Sequence, residues 1–253
     1  YEREILRRNA SSGQMKDTAI GQILYVSILI LLFTTYLILF RKDYFSKPRS
    51  ITMLYVMVTI FPIFVSLMVQ HNFFSVYIVP LTMAAMFARM FMDSRTAFMT
   101  HVTIVLLCAA AVRYQYEFII IEIVAGLVAI YSLRELSQRS QLFKTAIFVG
   151  ISYITTYFAL QLMQNNWFDK LDTGMYYHFV VNSILLLLSY PLMYLIEKTF
   201  GFTSNVTLFE LSNTNKGLLR HLSEIAPGTF QHSITVGNLA AEIANRIGAN
   251  SLL

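Results

Sequence analysis

Charged residues are scarce in this sequence, at 13% where a soluble domain carries about 25%. Cysteine is nearly absent, because the single Cys108 excludes an intramolecular disulfide and its apolar neighbours indicate a small buried side chain. The modest glycine and proline contents exclude collagen-like and disordered chains, and no internal repeat of roughly 20–50 residues is present. The chain starts at Tyr1 inside a helical pattern, so we expect a piece of a longer protein.

Long apolar runs take the place of the missing charge, since 56% of the residues are hydrophobic. A helix that crosses a bilayer needs about 20 mostly apolar residues. Seven segments reach or approach that length and predict an all-α, polytopic membrane protein with a seven-helix bundle; the third to fifth are short and have charged residues at their edges. The segments are Ile20–Phe40, Ile51–Val69, Val76–Met92, Ala97–Val112, Phe118–Leu133, Phe143–Met163 and Tyr176–Ile196.

The basic residues of the connecting loops predict the orientation of the bundle, because cytoplasmic loops are rich in Lys and Arg. The loops after odd-numbered segments contain seven such residues, and the loops after even-numbered segments contain two. These residues are Arg41, Lys42, Lys47, Arg49, Arg95, Arg134 and Arg139, against Arg113 and Lys170. We therefore expect an outside N-terminus and a cytoplasmic C-terminus. The net charge of +5 is largely a topology signal and predicts no nucleic-acid partner.

Ionisable side chains at membrane depth are costly, so each is a candidate functional residue. Five of them fall near span ends that the predicted orientation places outside. They would line one outward-facing cavity for an extracellular ligand, or else snorkel to the headgroups or pair with neighbouring helices, and the residues alone leave both interpretations open. The five are His71, Arg113, Glu117, Glu122 and His178. His101 and Asn182 predict hydrogen bonds between helices.

Other seven-span proteins fit the pattern poorly. A retinal protein needs a Lys in the middle of its last span, whereas Lys198 lies beyond the inner end of Tyr176–Ile196. The third segment lacks the acidic-Arg-Tyr exit motif of G-protein-coupled receptors. No acidic relay crosses the membrane, which weakens a transporter hypothesis. Two alternatives stay open: a membrane ligand-binding module, and a transporter with a regulatory cytoplasmic tail.

From Glu197 onward the chain is polar, with apolar residues at helical spacing. Pro227 and Gly228 separate two predicted amphipathic helices, and we expect Thr229 to cap the second and Gly248 to end it. Such helices need a partner surface, so we expect them to belong to a domain that continues past Leu253. Their apolar positions are Leu208, Leu211, Leu218, Leu219, Leu222 and Ile225, then Ile234, Val236, Leu239, Ala240, Ile243 and Ile247.

The stretches PLMYLIEKTFGFTSNVTLFELSN and LLRHLSEIAPGTFQHSITVGNLAAEIANRIGANSLL, within residues 191–253, resemble the junction of the seven-transmembrane HD-domain phosphohydrolase receptors (PgpH-type). An APGT-aromatic-x-HS motif and an IGAN motif carry the resemblance. In that family an extracellular sensor domain precedes seven spans, and a linker leads into a cytoplasmic HD domain that hydrolyses cyclic di-AMP to the linear dinucleotide at a two-metal site.

The resemblance implies four divisions: the end of the sensor domain at 1–19, the seven-helix membrane domain at 20–196, linker helices at 197–223 and a truncated HD domain at 224–253. It makes His232 the first metal ligand of a pair of divalent transition metals, iron or manganese, in the complete HD domain. The other ligands, including a His-Asp pair, are absent, so this piece alone should hold no metal and be inactive. Expected partners are the lipid bilayer, cyclic di-AMP and an unknown extracellular ligand, and a homodimer stays open. Glu197 matches a junction acid to which the sequence gives no role.

Overall fold

The computed structural model describes residues 2–71, 74–133, 140–165, 173–204, 207–208 and 211–247. These residues form helices and no strand, which confirms the all-α prediction. The predicted loop residues Arg134, Arg139 and Lys170 and the predicted helix stop at Gly248 lie outside them. The helices are α1 (Glu2–Phe40), α2 (Lys42–Phe45), α3 (Pro48–His71), α4 (Thr82–Phe91), α5 (Ser94–Ala109), α6 (Gln115–Ser132), α7 (Ser140–Asn165), α8 (Gly174–Leu186), α9 (Ser189–Phe200), α10 (Gly217–Ile225) and α11 (Pro227–Arg246).

Four described helical stretches are long and apolar enough to cross a membrane, namely Ala19–Phe40, Pro48–His71, Gln115–Ser132 and Ser140–Gln164. Helices α8 and α9 meet at a bend of 44° and make a fifth if they are counted as one span. Two further apolar helical stretches, Val76–Phe91 and Ser94–Ala109, are shorter. Each of the seven predicted segments is therefore largely helical, and the protein is a multi-pass membrane protein. Helix length alone supports four or five crossings.

The third predicted segment is not one continuous helix. A 3₁₀ turn at Val76–Ile78 and an extended residue at Val79 precede α4, which has 10 residues and is about 15 Å long. Non-helical backbone at membrane depth is tolerated only where protein buries it and satisfies its polar groups. Asn182 of α8 does this, since its Nδ2 donates to the carbonyl oxygens of Tyr77 at 2.9 Å and Val79 at 3.0 Å. The span predicted over Val76–Met92 is therefore interrupted, and an amide about a hundred residues away stabilises the break.

The centre of the bundle is α4. Every residue from Thr82 to Ala88 is buried, so no side of this helix faces outward. Helices α5, α6 and α9 contact it, and α6 in turn packs against α7, and α7 against α8. A helix that is buried on all sides does not need the one-sided apolar stripe of a surface helix. A helix of only 10 residues can lie here because protein surrounds it.

Helices α10 and α11 pack against each other and bury none of their residues. The predicted break is confirmed, because α10 ends at Ile225 and α11 begins at Pro227, where a missing N–H costs the helix nothing. The predicted Thr229 cap is wrong, since Ala226 occupies the N-cap position. The apolar face of α11 is uncovered, as Leu239 and Ile243 are each 61% exposed.

Candidate functional site

A polar centre lies between α5, α6 and α7. Glu122 and His101 are both fully buried. Nε2 of His101 donates to the carbonyl oxygen of Glu122 at 2.8 Å, so α5 is hydrogen-bonded to the backbone of α6. The hydroxyl of Tyr153 on α7 donates to Oε2 of Glu122 at 2.9 Å. Two helices are thus tied to α6 through a single residue.

Close packing fixes the two donors of this centre. Gly126 lies one turn after Glu122, and a Cβ added there would collide with the ring of His101. The absence of a side chain therefore lets the imidazole lie against α6. Tyr153 stacks on Phe179 of α8, with ring centroids 5.4 Å apart and planes inclined by 3°. Stacking of this kind holds the Tyr153 hydroxyl in one direction.

Several polar atoms around the centre have no hydrogen-bond partner although they are buried. They include Oε1 of Glu122 and Nδ1 of His101. A buried polar atom without a partner costs about 1–3 kcal/mol. The centre therefore stabilises the bundle through some of its atoms and destabilises it through others.

The five predicted outer residues lie in different surroundings. Glu122 is fully buried in the packed core. Glu117 accepts a hydrogen bond from Nε2 of Gln164 at 2.9 Å, which joins α6 to α7. The two glutamates therefore join α6 to α7, which agrees with the second interpretation left open by the sequence, that of pairing between neighbouring helices.

The other three predicted outer residues lie on separate elements. Arg113 is exposed, with its guanidinium carbon 5.7 Å from the ring centroid of Tyr114. His71 is exposed at the end of α3, and His178 of α8 is half-buried beside the ring of Tyr177. An outward-facing cavity lined by all five residues stays a prediction.

A second polar site lies where the chain leaves α9. Glu197 lies in the last turn of α9, and its Oε1 accepts from the backbone N of Ser204 at 2.9 Å and from Oγ1 of Thr207 at 3.0 Å. Gly201 makes this possible, because its φ of +66° ends the helix in the left-handed conformation that favours glycine. We call Glu197, Ser204 and Thr207 the junction clasp. It folds the chain after α9 back against that helix and gives Glu197 the role that the sequence could not assign.

The junction also packs against two other helices. Phe202 stacks on Phe91 of α4, with ring centroids 5.4 Å apart. The guanidinium of Arg49 on α3 lies beside Gly201, where an added Cβ would come within 2.7 Å of it. The segment between α9 and the tail is therefore held by α3 and α4 as well as by the clasp.

An ion pair crosses the same end of the bundle. Asp93 caps α5 by accepting from the backbone N of Arg95 at 3.1 Å and from Oγ1 of Thr96 at 2.5 Å, and it also pairs with Arg41. Tyr44 lies near this pair, and burial raises the pKa of its phenol, so the phenol stays neutral at physiological pH. The pair connects the α1–α2 corner to the start of α5.

The predicted metal ligand His232 is exposed on α11. It lies four residues before Val236 and seven before Leu239, so it shares the exposed apolar stripe of that helix. Among the residues that the structure describes, no group of three or more His, Cys, Asp or Glu side chains is placed to hold a metal ion. A two-metal centre needs several ligands, so the described residues fit at most one ligand position.

Comparisons with known proteins place these features in a family. A family model described as "7TM receptor with intracellular HD hydrolase" matches residues 17–204, and so it ends at the clasp residue Ser204. No solved structure matches the chain significantly.

Among curated relatives, the cyclic-di-AMP phosphodiesterase PgpH of Bacillus subtilis is 26% identical over 270 residues, which cover 100% of this chain and 38% of the relative. PgpH of Listeria monocytogenes is 28% identical over 205 residues, covering 78% of this chain and 28% of the relative. The uncharacterized protein slr0104 of Synechocystis is 30% identical over 146 residues, or 53% of this chain and 17% of the relative. The chain thus spans well under half the length of these relatives. Because the family match extends over residues 17–204, this chain belongs to the 7TM receptors with an intracellular HD hydrolase.

Proposed function

We propose that this chain is the membrane and junction region of a receptor that hydrolyses cyclic di-AMP. An external signal acts on the bundle, and the last membrane helix passes it to a cytoplasmic HD domain. The observation that carries the proposal is the junction clasp, because it fixes the end of α9 to the segment that leads towards His232. Two relatives that bear the name cyclic-di-AMP phosphodiesterase support the substrate.

The proposal assigns seven crossings to a bacterial inner membrane. They are formed by α1, α3, the broken segment with α4, α5, α6, α7, and α8 with α9. The N-terminus lies outside and the tail lies in the cytoplasm, following the loop charges. Residues 1–19 end a sensor domain, 20–196 form the membrane domain, 197–223 the linker and 224–253 the start of the HD domain.

His232 supplies one ligand of the proposed hydrolytic site. It lies on the uncovered apolar stripe of α11, which is the side on which the rest of an HD domain would pack. A bound pair of iron or manganese ions would supply an activated water and neutralise charge on the phosphodiester. The imidazole binds its metal in the neutral form, so its role requires a deprotonated ring nitrogen. The remaining ligands belong to the continuing domain, and this chain alone is expected to be inactive.

Transmission through the bundle needs an element with two arrangements. The bend of 44° between α8 and α9 is a candidate hinge, because Leu187 and Leu188 interrupt the helix there. Asn182 of α8 connects this region to the non-helical segment before α4. A change of the bend would move α9 and, through the clasp, the linker.

The enzyme part of this proposal is tested with the full-length protein in membranes, supplied with manganese. We expect conversion of cyclic di-AMP to the linear dinucleotide, and we expect His232→Ala to abolish it because the metal pair loses a ligand. His221→Ala on α10 is the matched control and should retain the rate. An unmodified protein without hydrolysis, or a fully active His232→Ala variant, would contradict the proposal.

A ligand-binding bundle is the second candidate, and one observation favours it: a cavity of about 420 Å³ lies between α1, α3 and α5. A ligand-binding bundle is compatible with signal transmission, because the bound ligand would be the signal that the bundle passes to the HD domain.

A further inference from the structure

The cavity between α1, α3 and α5 has mostly apolar walls. Val26 and Ile30 of α1 face Val58 and Ile63 of α3, and Leu107 closes the α5 side. Its volume of about 420 Å³ lies within the roughly 300–1,000 Å³ range of small-molecule sites. The cavity is distinct from the five polar residues near the span ends and from the junction clasp.

The packing of α1 explains why the cavity exists. Near the Phe40 end of this helix Phe33 and Leu37 are buried, whereas Val26 and Ile30, which line the cavity nearer the Ala19 end, are 36% and 39% exposed. The helix therefore packs closely towards its Phe40 end and diverges from α3 towards its Ala19 end. The divergence leaves open space beside α3.

Two hydrogen bonds hold α1 in this divergent position. The hydroxyls of Thr34 and Tyr55 lie 2.5 Å apart and bridge α1 to α3 at the floor of the cavity. The hydroxyl of Tyr25 donates to the carbonyl oxygen of Leu106 at 3.0 Å and bridges α1 to α5 nearer the mouth. A helix fixed at two points by directional bonds does not collapse onto α3, so the cavity is a built feature of the fold.

The shape of the cavity matches an extended hydrocarbon chain. Its lining on α3 runs from Tyr55 to Leu67, which is about 18 Å along the helix axis. One leaflet of bilayer hydrocarbon is about 15 Å thick. A transmembrane helix about 10 Å wide and equally long occupies more than about three times this volume, so the space fits a hydrocarbon chain better than a helix from a second copy.

The mouth of the cavity is polar. Gln22 and Ser66 lie at the end of the lining nearest the Ala19 end of α1. Gln22 also borders a second cavity of about 390 Å³, together with Tyr25 and Gln115. An amphiphile in this cavity would thus contact apolar side chains along its hydrocarbon chain and the Gln22 amide and Ser66 hydroxyl at its polar head.

We propose that this cavity binds an acyl chain of a membrane phospholipid. The chain lies parallel to α1 and its headgroup end lies at Gln22 and Ser66. Bound lipid fills the space between α1 and α3 that the two hydrogen bonds leave open. The proposal does not depend on the hydrolase activity of the full-length protein.

Photochemical labelling tests the site directly. Full-length protein is reconstituted in vesicles of phosphatidylglycerol and phosphatidylethanolamine that contain a trace of phospholipid with a diazirine in its acyl chain. After irradiation, mass spectrometry of peptides locates the label. We expect labelling of Val26 and Ile63 above that of Ile147 and Ile151, which face outward on α7 with 61% and 53% exposure.

A cavity-filling substitution provides the control. Ser66→Trp places an indole in the cavity and should reduce labelling of Val26 and Ile63 to the level of the α7 face. Ile147→Trp adds the same side chain on α7 and should leave the cavity labelling unchanged. Circular dichroism verifies that both variants fold, and Thr59→Trp replaces Ser66→Trp if the latter does not. Uniform labelling of all outward faces, or cavity labelling that survives filling, would overturn the proposal.

Discussion

A single carboxylate, Glu197, determines how the chain leaves the membrane bundle. Its oxygens accept from the backbone of Ser204, which is 1% exposed, and from the Thr207 hydroxyl. The sequence placed an acid at this point but could not identify its partners, because they meet it only through the left-handed turn at Gly201. A local pattern does not show a contact that depends on a chain reversal.

Replacing Glu197 by Ala should loosen the junction. The Ser204 amide loses its acceptor while it stays shielded from water, at a cost of about 1–3 kcal/mol. Hydrogen exchange of the full-length protein should therefore be faster in peptides covering residues 200–208. Glu224→Ala removes an exposed carboxylate that pairs with Arg220 and should leave this exchange unchanged. Equal protection in all three proteins would show that the clasp does not hold the linker.

For Glu122 within the membrane, too, the sequence could not identify the hydrogen-bond partner. Its helical phase could not distinguish an outward cavity from a packed interface, since the choice depends on Tyr153 of α7. His101 and Asn182 were easier to interpret, because a polar group at membrane depth needs a partner on another helix. Both predicted inter-helix hydrogen bonds are confirmed.

The Glu122–Tyr153 bond should appear as a coupling in a double-mutant cycle of Glu122→Gln and Tyr153→Phe. Hydrogen bonds between membrane helices contribute about 0.6 kcal/mol on average. The double variant should therefore lose less unfolding free energy than the sum of the two single variants, by a similar amount. Unfolding of the protein in mixed micelles provides the free energies. Tyr131→Phe at a 78% exposed position of α6 serves as the control partner and should show no coupling. Additive losses for Glu122 and Tyr153 would contradict the bond.

At the scale of elements, hydropathy located the apolar helices but not the interruption before α4. Apart from Thr82 and Arg89, the run from Val76 to Met92 is hydrophobic, so its hydropathy does not mark the 3₁₀ turn. Pro80 lacks an N–H and weakens a helix there, yet proline also occurs inside α3 at Pro62 without a break. The amide of Asn182 decides between the two outcomes, and its position follows only from the packed bundle.

Packing between α5 and α6 depends on the missing side chain of Gly126. Gly126→Ala should destabilise the bundle by about 1–3 kcal/mol, because the added methyl collides with the His101 ring. The loss should be smaller in a His101→Ala background, where the ring is absent. Gly21→Ala on α1 meets no atom within 4 Å and should be neutral or slightly stabilising. The same cost in both backgrounds would show that the ring does not set the helix spacing.

At the scale of the whole molecule, one set of side-chain contacts joins the helices of the bundle to each other. Another set connects the last membrane helix and the linker to the bundle. The polar centre joins α5, α6 and α7, while the clasp and the Phe91–Phe202 stack connect α9 and the linker to α4. Sequence motifs in residues 191–253 identified the family because they are local, and the match over residues 17–204 confirms it. The contacts that would carry a signal were not predictable, since the Phe91–Phe202 stack joins residues distant in the chain and the clasp forms only through the chain reversal at Gly201.

In the proposed mechanism α9 controls the hydrolase through the clasp, and a comparison of hydrolysis rates checks this. The rate of cyclic di-AMP hydrolysis is compared, in the same membranes, for the full-length protein, its Glu197→Ala variant and the Glu224→Ala control. We predict that Glu197→Ala changes the rate while His232 and the rest of the HD domain are untouched, and that Glu224→Ala does not. Identical rates for all three proteins, with the linker shown to be loosened by hydrogen exchange, would reduce the membrane bundle to an anchor.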